Sequence, residues 1–233
     1  MVGYGAAFDV VRRRVTGGTY PPAVLGVATP DGVVALDAFG ATGVRTARVD
    51  DAYRLFSITK PLVGIAAARA IERGLLTSQT PLREAVPEFG TGRDDTVRLE
   101  HLASHTSGIS EPALDTPIAL RRALIDGGRD FAAGTASRYS SVAFAGIHAM
   151  LRHTTGLGWE QAVDAWADPI GAHFTTDEAA DPHVVVGAAE AGLDIDRFTA
   201  LRHPGAGAIG TAGDLLALGT DLLRTHRSGD AGV

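Results

Sequence analysis

Cysteine is absent from the 233 residues, which excludes disulfides, thiolate metal sites and a cysteine nucleophile. No apolar run approaches the ~18 residues that a membrane-spanning helix needs. The opening MVGYGAAFDVVRRRV lacks a charged leader followed by an apolar stretch. A cytoplasmic protein with no membrane partner is therefore expected. Clustered basic charge is missing too: with a formal net charge of -6 and scattered Lys and Arg, nothing offers a footprint for nucleic acid or anionic lipid. The expected ligand is a small molecule or a peptide. There is no internal repeat, low-complexity segment or clear linker, so residues 1–233 read as a single domain, and 45% hydrophobic residues suffice for a sizeable core.

What is present begins with PPAVLGVATPDGVVALDAFG, two β-branched stretches around Thr29-Pro30-Asp31-Gly32. Pro in the second position and Gly in the fourth suit a type I turn, which predicts a β-hairpin. From Val63 the apolar residues recur as Ala66, Ala67, Ala70 and Ile71, helical spacing that Gly74 can stop. Loops and short helices follow in PLREAVPEFG, VRLEHLASHTSGIS, a helical PIALRRALIDGG, SVAFAGIHAMLRHTTG and GWEQAVDAWADPIG, and TAGDLLALGTDLLRTH predicts a closing amphipathic helix. The fold class expected is α+β, a strand pair followed by a mostly helical body.

Pro61 is tolerated only in the opening turn of a helix, which sets the helix start near Ser57. A purely capping Ser57 would favour Glu or Gln three residues on, and Lys60 has the wrong sign. Its charge beside the positive helix end costs roughly 0.3–1 kcal/mol. A destabilised ammonium is a potential base, and a spacing of three puts the amine on the face of the Ser57 hydroxyl. The alternative is a capping serine followed by a surface lysine.

FSITKP, HLASHTSGI, RYSSVAFAGIHAML, ADPIGAHFTTDEA and HPGAGAIGTAGDLLALGTDLL stand in the order found in the serine β-lactamase-like superfamily. From about Pro21 to Leu223 the chain resembles its class C, penicillin-binding-protein and family VIII carboxylesterase branch. The resemblance implies a β-lactamase/transpeptidase-like fold, Ser57 as acylated nucleophile, Lys60 as its hydrogen-bonded base and Tyr139 as the phenol that shuttles the proton. It implies no cofactor and no metal. Ser141 falls in the substrate-binding position where the family motif Tyr-x-Asn has its amide. Asn can both donate to and accept from a substrate amide through a long side-chain amide, whereas Ser offers only a shorter hydroxyl. The expected activity is thus a serine hydrolase, esterase-like on a small ester or amide substrate; the alternative is a non-catalytic binding protein or a fragment that keeps the pocket.

The third family motif, Lys-Thr-Gly or a His-x-Gly variant, lies on a strand beyond the TAGDL helix and is not found before the closing RSGDAGV. HPGAG, at His203 to Gly207, reads instead as a glycine-rich turn. The C-terminal strands of the family sheet are therefore expected to be missing, and with them an oxyanion-hole amide worth roughly 10²–10³ in rate. An unpaired hairpin edge would then invite self-association or a complementing chain. A rival reading places His101 and His105, four apart, on one helix face as zinc ligands, with His148, His153 or His173 as a third. The resemblance makes them packing or hydrogen-bonding groups.

Overall fold

Residues 3–228 are described by the computed structural model. In chain order its elements are α1 (Gly5–Thr16), β1 (Ala23–Thr29), β2 (Gly32–Phe39), β3 (Ala41–Thr42), β4 (Arg45–Thr46) and β5 (Ala52–Arg54). A 3-10 turn (Phe56–Ile58) leads into α2 (Thr59–Glu72), then α3 (Leu99–Ala103), α4 (Leu120–Asp126), α5 (Ala143–Thr155) and α6 (Trp159–Ala167). The described chain closes with α7 (Ile195–Ala200), β6 (Ile209–Thr211) and α8 (Ala212–Ser228). From Gly229 on, the RSGDAGV stretch lies outside the described residues. No helix among the described residues is long and apolar enough to cross a membrane.

The chain forms two compact units. The first takes the described residues 3–54, 167–186 and 209–228. Its centre is the expected hairpin, β1 antiparallel to β2 from Ala23 opposite Phe39 to Thr29 opposite Gly32. Among the described residues the pair has no third strand, and a lone hairpin is marginal in water; here α1 and α8 pack on it. Gly26 gives that packing room, because a Cβ there would displace the end of the Leu216 side chain of α8. A second antiparallel pair, β5 with β6, joins Ala52 to Thr211 and Arg54 to Ile209. Beside it the buried His183 Nε2 meets Asp51 Oδ2 at 2.6 Å, and the Tyr53 ring stacks on the imidazole at 4.8 Å.

The second unit takes Leu55–Trp166 and Gly187–Ala208 and is helical. α5 is its hub, packed by α2, α3 and α4. Of the residues whose period predicts α2, Val63, Ala66, Ala67 and Ala70 are buried, whereas Ile71 is exposed and Leu62 is buried completely in its place. Full burial of Leu62 and Val63 stabilises the helix by about 1.5–3 kcal/mol each. Gly74, at φ 70, ends the segment in the left-handed conformation that favours glycine. Gly146 lets α3 approach α5, since a Cβ there would stand 3.0 Å from Leu102 Cδ1.

The helix starts near Ser57 as expected: Ser57 lies in a 3-10 turn that runs directly into α2 at Thr59. One sequence expectation is corrected. His101 and His105 do not share a helix face, because α3 ends at Ala103 and His105 turns away with φ 60. Each ring instead accepts a backbone N–H at Nδ1, His101 from Arg98 and His105 from Ser140. Among the described residues no group of three or more His, Asp or Glu is arranged to hold a metal.

Candidate active site

Ser57 is exposed, and the residue before it is strained. Phe56 has φ 43, a left-handed conformation that costs a non-glycine residue about 1–2 kcal/mol. Its ring stacks on the buried Phe198 at 5.3 Å, a contact that offsets part of that cost. Thr59 is wholly buried, and its Oγ1 accepts the Ala208 N–H at 3.0 Å while the Ala208 carbonyl accepts the Leu55 N–H at 2.8 Å. The turn carrying Ser57 is thus pinned on both sides.

Lys60 is buried to 7% exposure, far from the surface lysine of the alternative sequence reading. A buried ammonium is tolerated only when its donors are satisfied, and three acceptors surround it. Lys60 Nζ donates to Ser57 Oγ at 3.2 Å, to Ser141 Oγ at 3.1 Å and to the Gly205 carbonyl at 2.8 Å. It also lies over the rings of Tyr139, at 4.5 Å, and Phe144, at 5.5 Å.

Tyr139 is half-exposed and its Oη donates to Ser57 Oγ at 2.7 Å. Its partial burial raises the phenol's pKa, but the hydrogen bonds with Lys60 and Ser57 and the charge of Lys60 outweigh that, and the net direction is down. Ser141 is buried, its hydroxyl turned to the Lys60 amine. Ser57, Lys60, Tyr139 and Ser141 are therefore one cluster, all within the second unit.

Other groups border this cluster, and HPGAG, read from the sequence as a glycine-rich turn, is one of them. The HPGAG segment forms a turn in which His203 Nδ1 accepts the Gly205 N–H at 2.9 Å and its carbonyl accepts the Ala206 and Gly207 N–H groups. Burial, then the charge of Lys60, push His203 down to about 4, so the ring is neutral. A Cβ on Gly205 would stand 2.8 Å from the Ser141 carbonyl oxygen, and one on Gly207 2.6 Å from the His203 nitrogen. On the other side, the His105 ring lies 4.4 Å from that of Tyr139, and burial and the Lys60 charge keep its imidazole below the usual range. Glu111 accepts from Ser140 Oγ at 2.8 Å and from the Val142 N–H at 3.1 Å, which ties down the entry to α5.

Among the described residues four non-glycine residues have positive φ, and three of them border this cluster: Phe56 before Ser57, His105 against Tyr139, and Arg202 before the HPGAG turn. Strained backbone concentrated in this way marks a site whose geometry is imposed by its surroundings. Chemically, one exposed hydroxyl meets an amine and a phenol that can exchange its proton, an arrangement suited to nucleophilic catalysis.

Comparison with known proteins gives a family model described as Beta-lactamase, which matches residues 8–231. Esterase EstB of Burkholderia gladioli is 32% identical over 152 residues, covering 54% of this chain and 38% of the esterase. The chain therefore spans under two fifths of that relative's length. Among solved structures, EstCE1, a hydrolase with promiscuous acyltransferase activity, matches 97% of this chain and 72% of its own at 23% identity and a TM-score of 0.74. The octameric penicillin-binding protein homologue from Pyrococcus abyssi matches all of this chain and 58% of its own, with 15% identity and a TM-score of 0.81.

Proposed function

The chain belongs to the beta-lactamase family and has its α+β, transpeptidase-like fold, and from that premise we propose that it is a serine hydrolase acting through an acyl-enzyme on Ser57. The observation that carries this reading is the meeting of the Lys60 amine and the Tyr139 phenol on one exposed hydroxyl, at 3.2 and 2.7 Å.

Ser57 Oγ attacks the substrate carbonyl carbon, and its proton passes to the Lys60–Tyr139 pair. The same pair returns the proton to the leaving group as the bond to the carbonyl carbon breaks. Water then attacks the acyl-enzyme, gives up its proton by the same route and frees the acid, with Ser57 regenerated. Lys60 favours the phenolate form of Tyr139, so at a given pH a larger fraction of that residue than of an ordinary phenol is deprotonated and able to take the proton.

The substrate we assign is a small ester, with an amide less favoured. Ser141 occupies the second-motif position with a hydroxyl already engaged by Lys60, so no side-chain amide is available there to grip a substrate amide. Similarity to an esterase supports the same choice. Self-association we place at the hairpin edges, which pair with no further strand among the described residues; sedimentation as a monomer at all concentrations would remove that part.

The test is incubation with a fluorophosphonate probe and an activated ester, followed by intact-protein mass. One adduct on the wild-type chain and none on Ser57→Ala is the expected result. Labelling of neither protein overturns the hydrolase in favour of a binding protein that retains the pocket.

A further inference from the structure

The second unit contains a cavity of about 640 Å³ whose lining includes none of Ser57, Lys60, Tyr139 and Ser141. That volume lies within the roughly 300–1,000 Å³ of small-molecule sites. The cavity sits among α4, α5, the start of α6 and the approach to the HPGAG turn, and its apolar wall includes Leu120, Leu124, Ala145, Trp159, Leu201 and Pro204.

The polar part of the lining is Arg121, His148, Arg152, His153, Glu160 and Arg202, in which guanidiniums outnumber the one carboxylate. Glu88 holds Arg121 at 2.9 Å and Glu160 holds Arg202 at 2.7 Å. Among the described residues Arg152 alone of the three guanidiniums is held by no carboxylate, which leaves one positive charge without a partner at the cavity. His148 also lines the cavity, and its Nδ1 accepts the Trp159 N–H at 3.1 Å. A neutral imidazole that accepts at Nδ1 carries its proton on Nε2, where it is a donor. Burial, and then the charge of Arg152, push His148 down, which favours that neutral form.

We infer that this cavity is a binding site for an amphipathic monocarboxylate, with its apolar chain against Leu124, Ala145 and Trp159 and its carboxylate at Arg152 and His148. A planar carboxylate matches the guanidinium fork. A small dianion would leave the apolar wall unfilled and exceed that single positive charge, and a neutral apolar molecule would gain nothing from Arg152. The site does not rest on the acylation of Ser57 and stands whichever way that test falls.

The experiment is calorimetric titration of the full chain with octanoate, with 1-octanol and inorganic phosphate as comparisons. Saturable octanoate binding is expected, weakened about tenfold or more in Arg152→Ala, lost in Ala149→Trp, which fills the cavity, and unchanged in Ser57→Ala. Thermal melts establish that each variant is folded; Arg152 is exposed, so its variant remains informative if Ala149→Trp is not. Absence of saturation, equal affinity for 1-octanol or phosphate, or unchanged binding in Arg152→Ala overturns the proposal. Loss of binding in Ser57→Ala also overturns it, by placing the acid at the hydroxyl.

Discussion

Tyr139 Oη donates to Ser57 Oγ at 2.7 Å across a sequence separation of 82 residues. The phenol reaches that position because the loop before α5 is fastened on both sides of it, on one by the Arg138 N–H, which donates to the His105 carbonyl at 2.9 Å, and on the other by Ser140. Ser140 gives its N–H to His105 and its hydroxyl to Glu111, and the His105 ring backs the tyrosine. The consequences of this arrangement, and of the buried amine beside it, can be measured.

Replacing Lys60 with Met removes the amine that binds Ser57, Ser141 and Gly205. Proton-transfer groups contribute roughly 10²–10⁴ in rate, so fluorophosphonate labelling of Ser57 should slow by at least about 10². The Gly205 carbonyl also loses its donor, at about 1–3 kcal/mol of stability. A variant that labels at the wild-type rate would show that the amine takes no part.

The rate of labelling should rise with pH as Tyr139 becomes a phenolate. Because the phenol is more acidic than usual, the midpoint should lie below the ordinary tyrosine value of about 10. In Lys60→Met the lowering charge and hydrogen bond go while the burial that raises the pKa stays, so the midpoint should move up. Tyrosinate absorbance, taken as the difference between each protein and its Tyr139→Phe partner, reads the same shift independently.

Gly205→Ala would set a Cβ against the Ser141 carbonyl oxygen and the His203 ring, at 2.8 and 3.3 Å. The turn must move, and its carbonyl with it, away from Lys60. Crowding of this kind costs roughly 1–3 kcal/mol. We expect a lower melting temperature and slower Ser57 labelling together; loss of stability with full labelling would separate the turn from the amine.

In the first unit, Asp51 offers a test in acid. Burial opposes its charge, but hydrogen bonds from His183, the Arg48 amide and Arg45, with the charge of His183, hold the carboxyl at about 2. A carboxyl depressed on folding stabilises the native state above its unfolded pKa, near 3.9, and that contribution fades as pH falls through about 2. It amounts to about 2 kcal/mol. Asp51→Asn should therefore be less stable than wild type at pH 6 in urea melts, with the gap closing between pH 4 and pH 2.

Local rules made part of this molecule legible. The hairpin follows from two apolar, β-branched stretches around Pro30 and Gly32, and α2 from its period and from Pro61. α1, β5 and β6 were not readable. β5 and β6 are three residues each and are strands only because they pair with one another across the chain. The left-handed Phe56 was equally invisible, since an aromatic residue there contradicts its own backbone preference and is held by its ring against Phe198. Tyr139 could be named only through resemblance, which also set HLASHTSG near the site but gave His105 no more than a packing or hydrogen-bonding role, and Gly205 was read only as part of a turn.

By itself the sequence determined that a hydroxyl and an amine stand one turn apart, because a spacing of three residues near a helix start leaves little choice of distance. Tertiary structure alone decided that the amine is buried against the Gly205 carbonyl and that a phenol from far along the chain meets the same hydroxyl. Those contacts depend on loop paths set by the packing of α5 and by backbone groups that must find partners once buried, and no short-range pattern encodes them.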